Sequence, residues 1–409
     1  MEMILEFLRD VLSQPALLIG IMSCVGLIAL KRPFHKIMTG TLKPILGYLM
    51  LAAGAGVIVS NLDPLGKMIE HGFHITGVVP NNEAIVAVAQ KVLGVETMSI
   101  LVVGLLMNLL IARFTKFKYV FLTGHHSLFM ACLMSAVLGT AGLSGIELIL
   151  VGGFLMGAWS AISPAIGQSY TSKVTDGDEI ALGHFGSLGY YLSAWVAKYV
   201  GKAEESTEDI EIPEKWGFLR DSTLSTALTM IVFYLIAAIA AGSEFVATLS
   251  GSMSPYLFAV MSAMNFAVGV AIVYSGVRMI LGDLIPAFQG IATKIIPNAI
   301  PAVDCAVFFT YAPTAVVLGF ISSFIGGIIG MLILGAVGGV LIIPGLVPHF
   351  FCGATAGIYG NATGGRRGAA VGAFLNGLAI TFLPALALPV LGQLGFQNTT
   401  FGDADFAVM

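Results

Sequence analysis

The sequence has 409 residues, of which 57% are hydrophobic and only 10% are charged, and its formal net charge is −4. Soluble domains carry about 25% charged residues, so this chain lacks the charge to cover a water-facing surface of its size. The composition excludes a soluble enzyme, and the lack of a basic surplus argues against a nucleic-acid-binding surface.

Apolar stretches long enough to cross a bilayer recur along the whole chain. Because a spanning helix needs about 20 apolar residues, the pattern predicts an all-α polytopic membrane protein with about 10–11 transmembrane helices. The predicted spans are residues 14–30, 44–60, 96–113, 119–140, 145–163, 184–200, 224–247, 255–280, 314–343 and 367–392.

Three further apolar stretches are short and interrupted by proline or glycine, namely residues 75–92, 283–312 and 344–362. They are too interrupted to be ordinary spanning helices. Irregular backbone at membrane depth is tolerated where it is buried in protein or lines a cavity. We therefore expect re-entrant hairpins at 75–92 and 283–312, and a substrate site beside such segments.

Two basic clusters determine the predicted orientation. One follows the first span, the other follows the third, and the two intervening spans allow both clusters to lie in the cytoplasm with the N-terminus outside. The clusters are Lys31, Arg32, Lys36 and Lys43, and Arg113, Lys116 and Lys118. The hydrophilic stretch Lys202–Asp221 is also placed in the cytoplasm, either as a solvated connector or as a docking surface for a soluble partner.

The two halves of the chain resemble each other weakly. The sequence therefore predicts pseudo-repeated membrane halves, residues 1–200 and 223–409, joined by a cytoplasmic amphipathic loop at 201–222. Transporters use such repeats, with broken segments in matching positions, to build a central site. The matches are Ile37–Gly47 with Ile272–Gly282 at an offset of 235, Pro80–Glu83 with Pro301–Asp304 at an offset of 221, and His125 with His349 at an offset of 224.

A few polar residues fall inside the apolar stretches. A charged side chain at membrane depth costs about 2.5–3.5 kcal/mol or more, so it usually faces a cavity or a partner. Asp304 could cap a half-helix, bind substrate, or do both. The adjacent histidines 125 and 126 point in different directions, so one of them can reach a cavity. The candidates are Asn82, Glu83, His125, His126, Gln168, His184, Asp304 and, with an interfacial position as the simpler explanation, His349.

The same residues indicate a class of ligand. No pair of these side chains has a metal-binding spacing on one helix, and the four cysteines lack the spacing of a zinc site or disulfide framework. Carboxylates, amides and imidazoles suit a neutral polyol or a sugar-like acid, because each can exchange hydrogen bonds with hydroxyl groups. An apolar face for the ligand could come from Phe129, Phe185, Phe308 or Phe309.

Several motifs resemble the ascorbate-specific membrane component, enzyme IIC, of the bacterial phosphoenolpyruvate-dependent sugar phosphotransferase system. The similarity follows the chain in order over nearly its whole length. The motifs are Phe121–His125, Val174–Gly177 leading to Gly183 and His184, Val303–Ala306, Ile343–Gly345 with Pro348, Phe350 and Phe351, and Gly201–Asp209.

The resemblance implies a multi-pass inner-membrane homodimer with a transport core and a dimer-forming scaffold domain. The core would carry L-ascorbate or a related polyhydroxylated solute by an elevator movement, without a cofactor. A separate cytoplasmic IIB protein, loaded by IIA, would phosphorylate the solute. The implied ligand-contacting positions are Asn82, Glu83, His125, His126, Ser127, Leu128, Phe129, His184, Phe185 and Asp304.

The sequence leaves three points open: the role of Glu83, the identity of the solute and the coupling of transport. Glu83 could hold substrate or act as the base for the hydroxyl being phosphorylated. Phe185 stands where ascorbate-type members can carry glutamine, and residues 128–130 are apolar, so the site is less polar than the family pattern. The alternative function is an ion- or proton-coupled secondary transporter of a small polyol or organic acid, in which Asp304 and Glu83 would bind the coupling ion.

Overall fold

The structure is a computed structural model that describes residues 11, 14–74, 77–78, 80, 82–177, 179–210, 222–393 and 400–409. Within the helices, the side chains of residues 83–94 and of His125, among others, lie outside the described part. The described chain is mostly α-helical, with a small parallel sheet at its centre.

The described residues of the first half form six helices and two short strands. They are α1 (Pro15–Ala29), α2 (Phe34–Phe73), α3 (Asn82–Phe114), β1 (Tyr119–Phe121), α4 (Gly124–Thr140), α5 (Gly145–Thr175), β2 (Ala181–Leu182) and α6 (Ser187–Val200). The second half contains α7 (Ser222–Ala241), α8 (Ser243–Ser250), α9 (Pro255–Lys294), β3 (Ile300–Val303), a 3-10 helix (Cys305–Thr310), α10 (Pro313–Ala336), α11 (Leu346–Gln393) and α12 (Ala404–Val408).

Among the described residues, six helices are long and apolar enough to span a membrane, or seven if the bent pair α7–α8 forms one span. This is fewer than the ten or eleven predicted. The stretch 119–140 begins as a strand, and 184–200 becomes helical only at Ser187. Helix α6 has 14 residues, which at 1.5 Å per residue covers about 21 Å of a hydrocarbon core of about 30 Å.

Residues 344–362, predicted to be too interrupted for an ordinary spanning helix, are helical over most of their length. Helix α11 starts at Leu346 and runs through this stretch. Pro348 lies in its first turn, where backbone N–H groups have no intrahelical partner and the missing donor costs little. A second interrupted stretch, residues 283–312, contains the end of α9, followed by β3 and the 3-10 helix.

Helix α11 is two helices joined by a tight turn at Gly364 and Gly365. Gly365 has φ +58°, a conformation that residues with a side chain adopt at a cost. A Cβ atom at this position would also lie 2.2 Å from the carbonyl oxygen of Lys202. The turn is therefore packed directly against the chain that follows α6.

Helices from both halves pack together. Helices α1, α2, α7 and α9 form one group, α3, α4 and α5 a second, and α6, α10 and α11 a third. Helices α2 and α9 run antiparallel and make backbone contact, because Gly47 meets Gly276 and Gly54 meets Gly269. A helix of the first half of the chain therefore packs directly against a helix of the second half.

The hydrophilic connector is folded against the third group over its described part, Gly201–Ile210. Thr207 N–H donates to Asn361 Oδ1 at 2.8 Å, and Asn361 Nδ2 donates to Ser206 Oγ at 3.0 Å. The Arg366 N–H donates to the Glu205 carbonyl at 2.8 Å. These described residues form turns, and residues 211–221 lie outside the described part.

The central sheet has the strand order β1–β3–β2, and all its strands are parallel. Val120 pairs with Pro301 in one ladder, and Leu182 pairs with Val303 in the other. A helix begins within a few residues of the end of each strand. The carboxyl ends of parallel strands share one edge, which is a common place for a ligand site.

A second set of extended segments lies around residues 78–80. Val78 forms a parallel bridge with Ile342, and Pro80 forms one with Thr400. As in the sheet, a helix follows each segment: α3 after Pro80, α11 after Ile342 and α12 after Thr400. This set brings the last described residues of the chain to the start of α3.

Candidate functional site

A cavity of about 1220 Å³ lies where the two sets of extended segments meet. Its volume is large enough for a small solute, since ligand pockets typically measure about 300–1,000 Å³. Five of its polar lining side chains come from five separate segments of the chain. They are Asn82, His126, His184, Asp304 and Asp403, and apolar walls come from residues that include Phe129, Pro344 and Phe351.

Asp304 follows β3 directly and caps the 3-10 helix. Its Oδ1 atom accepts a hydrogen bond from the Ala306 N–H at 3.0 Å. The side chain is buried and lines the cavity. Both roles considered for Asp304 are thus compatible with its position, since the same carboxylate caps the 3-10 helix and lines the cavity.

His184 follows β2, and its ring is held by the start of α6. The Gly186 N–H donates to Nδ1 at 3.0 Å, and the Tyr190 hydroxyl lies 2.9 Å from the same nitrogen. Because Nδ1 accepts a backbone hydrogen bond, the proton of the neutral imidazole belongs on Nε2. The ring can therefore offer an N–H donor.

His126 lies in the first turn of α4 and packs against His184. The two ring centroids are 3.8 Å apart, and the centroid of Phe129 is 5.5 Å from that of His126. His126 is buried and lines the cavity together with Phe129. Of the two adjacent histidines it is the one described, because the side chain of His125 lies outside the described part.

Asn82 binds a residue that the sequence interpretation did not select, Asp403. Asn82 Nδ2 donates to Asp403 Oδ2 at 2.6 Å, and Asn82 Oδ1 accepts from the Gly402 N–H at 2.9 Å. Cys352 Sγ donates to Asp403 Oδ1 at 3.0 Å. This carboxylate oxygen lies 3.8 Å from Nδ1 of His184.

Asp405 fixes the segment that carries Asp403. Its carboxylate accepts hydrogen bonds from Ser187 Oγ at 2.7 Å, from the Leu188 N–H at 2.9 Å and from Trp159 Nε1 at 3.2 Å. Those bonds place it at the amino end of α6, where a negative charge is favoured. Asp403 and Asp405 therefore differ in surroundings: the first lines the cavity and the second anchors the segment to α5 and α6.

Other predicted residues lie away from the cavity wall. Phe185 is buried in a stack with Phe121 at 4.8 Å between centroids, and Leu128 packs in the same apolar cluster. Ser127 Oγ bonds to the Thr123 carbonyl. His349 bonds to Ser323 Oγ at 2.9 Å. Gln168 is bonded to the Ile180 carbonyl, and Phe308 and Phe309 are buried in the core. Glu83 is not placed relative to the cavity, because its side chain lies outside the described part.

One set of cavity residues has the chemistry of metal ligands. His126, His184 and Asp403 each have a ligand atom within 4.8 Å of the others, and two imidazoles with a carboxylate suit Zn²⁺ or Fe²⁺. The Nδ1 atom of His184 already accepts the Gly186 N–H, which leaves Nε2 for any ion. The same atoms also form a set of hydrogen-bonding groups for hydroxyls.

A mostly helical chain with several apolar spans and a polar cavity at the ends of short strands and half-helices has the architecture of a membrane solute transporter. Residues 10–405 match the family model EIIC-GAT, the sugar-specific permease component of the phosphotransferase system, and the chain belongs to this family. It is a multi-pass protein of the bacterial inner membrane.

A curated relative is the "Ascorbate-specific PTS system EIIC component" of Mycoplasma pneumoniae (strain ATCC 29342 / M129 / Subtype 1), 26% identical over 417 aligned residues. The alignment covers 87% of this chain and 62% of the relative, so the chain spans less than two thirds of that protein's length.

Proposed function

We propose that the chain translocates a small polyhydroxylated solute across the inner membrane, coupled to phosphorylation by a separate IIB protein. L-ascorbate, the substrate in the name of the Mycoplasma relative, is the first candidate. The observation that carries this proposal is the convergence of His126, His184 and Asp304 on one cavity from the ends of three parallel strands.

The lining suits such a solute because it combines donors with acceptors. His184 can donate from Nε2, and the carboxylate of Asp304 is an acceptor group on the cavity wall. Phe129 supplies an apolar surface for a carbon chain or ring. A buried site that hydrogen-bonds hydroxyls discriminates strongly against ligands that lack them, since its polar groups would be left unpaired.

The distribution of basic residues supports a cytoplasmic side for the phosphoryl donor. Lys198 lies over the ring of Tyr170 at 4.5 Å, near the end of α5, and the turn before Arg366 packs against Ala197 and Lys202. The Lys118 carbonyl accepts from Ile300 just beyond α9. Helices α3, α5 and α9 each lead into a strand of the same parallel sheet, so their ends lie on one side. The basic residues at or near that side are Arg113, Lys116, Lys118, Lys173, Lys198, Lys202, Lys294, Arg366 and Arg367.

That end also carries the connector Gly201–Ile210, with Glu204 and Asp209 exposed. A basic end is the cytoplasmic one in most membrane proteins. We assign docking of the IIB protein to this connector and the neighbouring basic ends. The alternation of negative and positive charge there suits the steering of a charged soluble partner.

The grouping of the helices supports a moving core against a static scaffold. Backbone contact joins α2 to α9 within the group α1, α2, α7 and α9, which we assign to the scaffold and the dimer interface. The other helix groups and the segments joined to them carry Asn82, His126, His184, Asp304 and Asp403 on the cavity wall, and we assign them to the transport core. The antiparallel relation of α2 and α9 supports inverted, pseudo-repeated halves, and an elevator movement of the core would then expose the cavity to either side.

Transport in sealed vesicles tests the coupling. Labelled ascorbate or galactitol is supplied with and without IIB, IIA and phosphoenolpyruvate, in the presence of ion gradients. Phosphorylated solute should accumulate only when the soluble proteins and phosphoenolpyruvate are present. Uphill accumulation of unmodified solute driven by an ion gradient alone would replace the proposal with the alternative function, an ion- or proton-coupled secondary transporter.

A further inference from the structure

Asp403 lines the cavity at the point where the end of the described chain folds back onto the start of α3. Its side chain is buried, and the cavity wall around it includes Asn82, His184 and Cys352. Asn82 and Cys352 each donate one hydrogen bond to it, one to each oxygen. A carboxylate has about four acceptor positions, so two remain for a ligand.

The placement of Asp403 parallels that of His184. His184 follows Gly183 at the end of β2, a strand paired with β3 near Pro301. Asp403 follows Gly402 shortly after Thr400, which bridges to Pro80. Pro80 and Pro301 are matching positions of the sequence repeat. His184 follows the strand paired with the segment of Pro301, and Asp403 follows the segment bridged to Pro80, so the two residues occupy corresponding positions.

These two residues offer complementary hydrogen bonds. His184 presents a donor at Nε2 because its Nδ1 accepts the Gly186 N–H. Asp403 is an acceptor held by Asn82 and Cys352, and its Oδ1 lies 3.8 Å from Nδ1 of the same His184 ring. A hydroxyl group is both donor and acceptor, so one hydroxyl, or two on adjacent carbons, can satisfy both residues at once.

We propose that Asp403 is a substrate-binding residue that accepts a hydrogen bond from a solute hydroxyl, opposite His184. This inference rests on the proposed function and adds a residue to its site. The ligand class is a solute with adjacent hydroxyl groups. Charge-assisted hydrogen bonds are about twice as strong as neutral ones, so this contact contributes substantially to selection of the hydroxylated ligand.

The test measures dissociation constants of the purified full chain for L-ascorbate, galactitol and monodeoxy analogues of the ligand that binds. Asp403→Asn keeps an acceptor for Asn82 but removes the charge, and we expect affinity to fall by about tenfold or more. The wild type should discriminate against one monodeoxy analogue, and Asp403→Asn should lose that discrimination, as expected for two directly coupled groups. Asp283→Asn, at the Lys43 ion pair, should bind like the wild type.

Each outcome separates this inference from the proposed function. If the wild type binds none of the solutes, the substrate class of the proposed function is wrong. If Asp304→Asn weakens binding and Asp403→Asn keeps both affinity and discrimination, Asp403 is not a ligand although the function stands. If Asp403→Asn is unfolded, Asp403→Glu takes its place, and loss of folding in both variants also overturns the inference. Stabilisation by Zn²⁺ that depends on Asp403, without an Asp403-dependent solute effect, overturns it in favour of a metal site.

Discussion

Glu208 accepts hydrogen bonds from the backbone of Thr314, the second residue of α10, at 3.0 Å from Oε1 and 3.3 Å from Oε2. The same Oε1 also accepts from the Ala315 N–H at 3.1 Å. The connector thus supplies the N-terminal cap of a helix that starts about a hundred residues later. Free N–H groups at a helix start are stabilised by such acceptors and by negative charge.

Glu208→Ala should lower the free energy of unfolding by about 0.5–2 kcal/mol, because it removes this cap. Thermal unfolding of the purified protein in detergent measures the change. Glu204→Ala, an exposed position in the same connector, is the matched control and should change stability little. Equal midpoints for the two variants would show that the cap contributes nothing measurable.

Asp304→Asn should weaken solute binding by about tenfold while the protein stays folded, because a hydrogen bond to a charged group contributes about 1.5–3 kcal/mol. Asparagine retains an oxygen for the Ala306 N–H, so the cap of the 3-10 helix survives. Binding is measured by titration calorimetry, and the oligomer by light scattering. An unchanged dissociation constant would remove Asp304 from the site and leave it as a cap.

Neutralising the exposed connector charges with Glu204→Gln and Asp209→Asn should slow phosphorylation more than it weakens solute binding. The substituted residues lie outside the cavity lining, so an effect on phosphorylation would reflect contact with the IIB protein. The measurement pairs a phosphorylation rate, at several ionic strengths, with a dissociation constant for the solute. Equal effects on both quantities would indicate a purely structural connector.

Gly365→Ala should destabilise the protein by about 1–3 kcal/mol, because φ at this position is +58° and strained backbone carries a cost of that size. The added methyl would also meet the Lys202 carbonyl at 2.2 Å. Gly56→Ala is the control, since no heavy atom lies within 4 Å of its added Cβ and alanine favours helix. Thermal midpoints that fall equally in both variants would contradict this explanation.

Hydropathy and proline spacing predicted the class of fold but not its detail. Runs of apolar residues indicate membrane helices well, because burial in lipid requires them. They do not reveal that Pro348 sits in the first turn of a helix, or that residues 119–121 form a strand, since both depend on partners far along the chain. Tertiary pairing with β3 determines the extended conformation of Tyr119–Phe121.

Asn82, His126, Phe129, His184 and Asp304 line the cavity and were predictable as candidates, because polar and aromatic groups beside broken apolar segments indicate a cavity. Asp403 was missed because it follows the last long apolar stretch and reads as part of a polar tail. A fourth match in the repeat points to it: Gly402 precedes Asp403 as Gly183 precedes His184.

The bridge between Pro80 and Thr400 has a consequence for biosynthesis. Membrane helices enter the bilayer one after another as the ribosome extends the chain, and contacts between distant segments form late. Asn82 is therefore inserted long before its partner Asp403 is translated. A nascent chain arrested before residue 400 would have the preceding helices in place but would lack Asp403 on the cavity wall, so solute binding would report that synthesis has passed this residue.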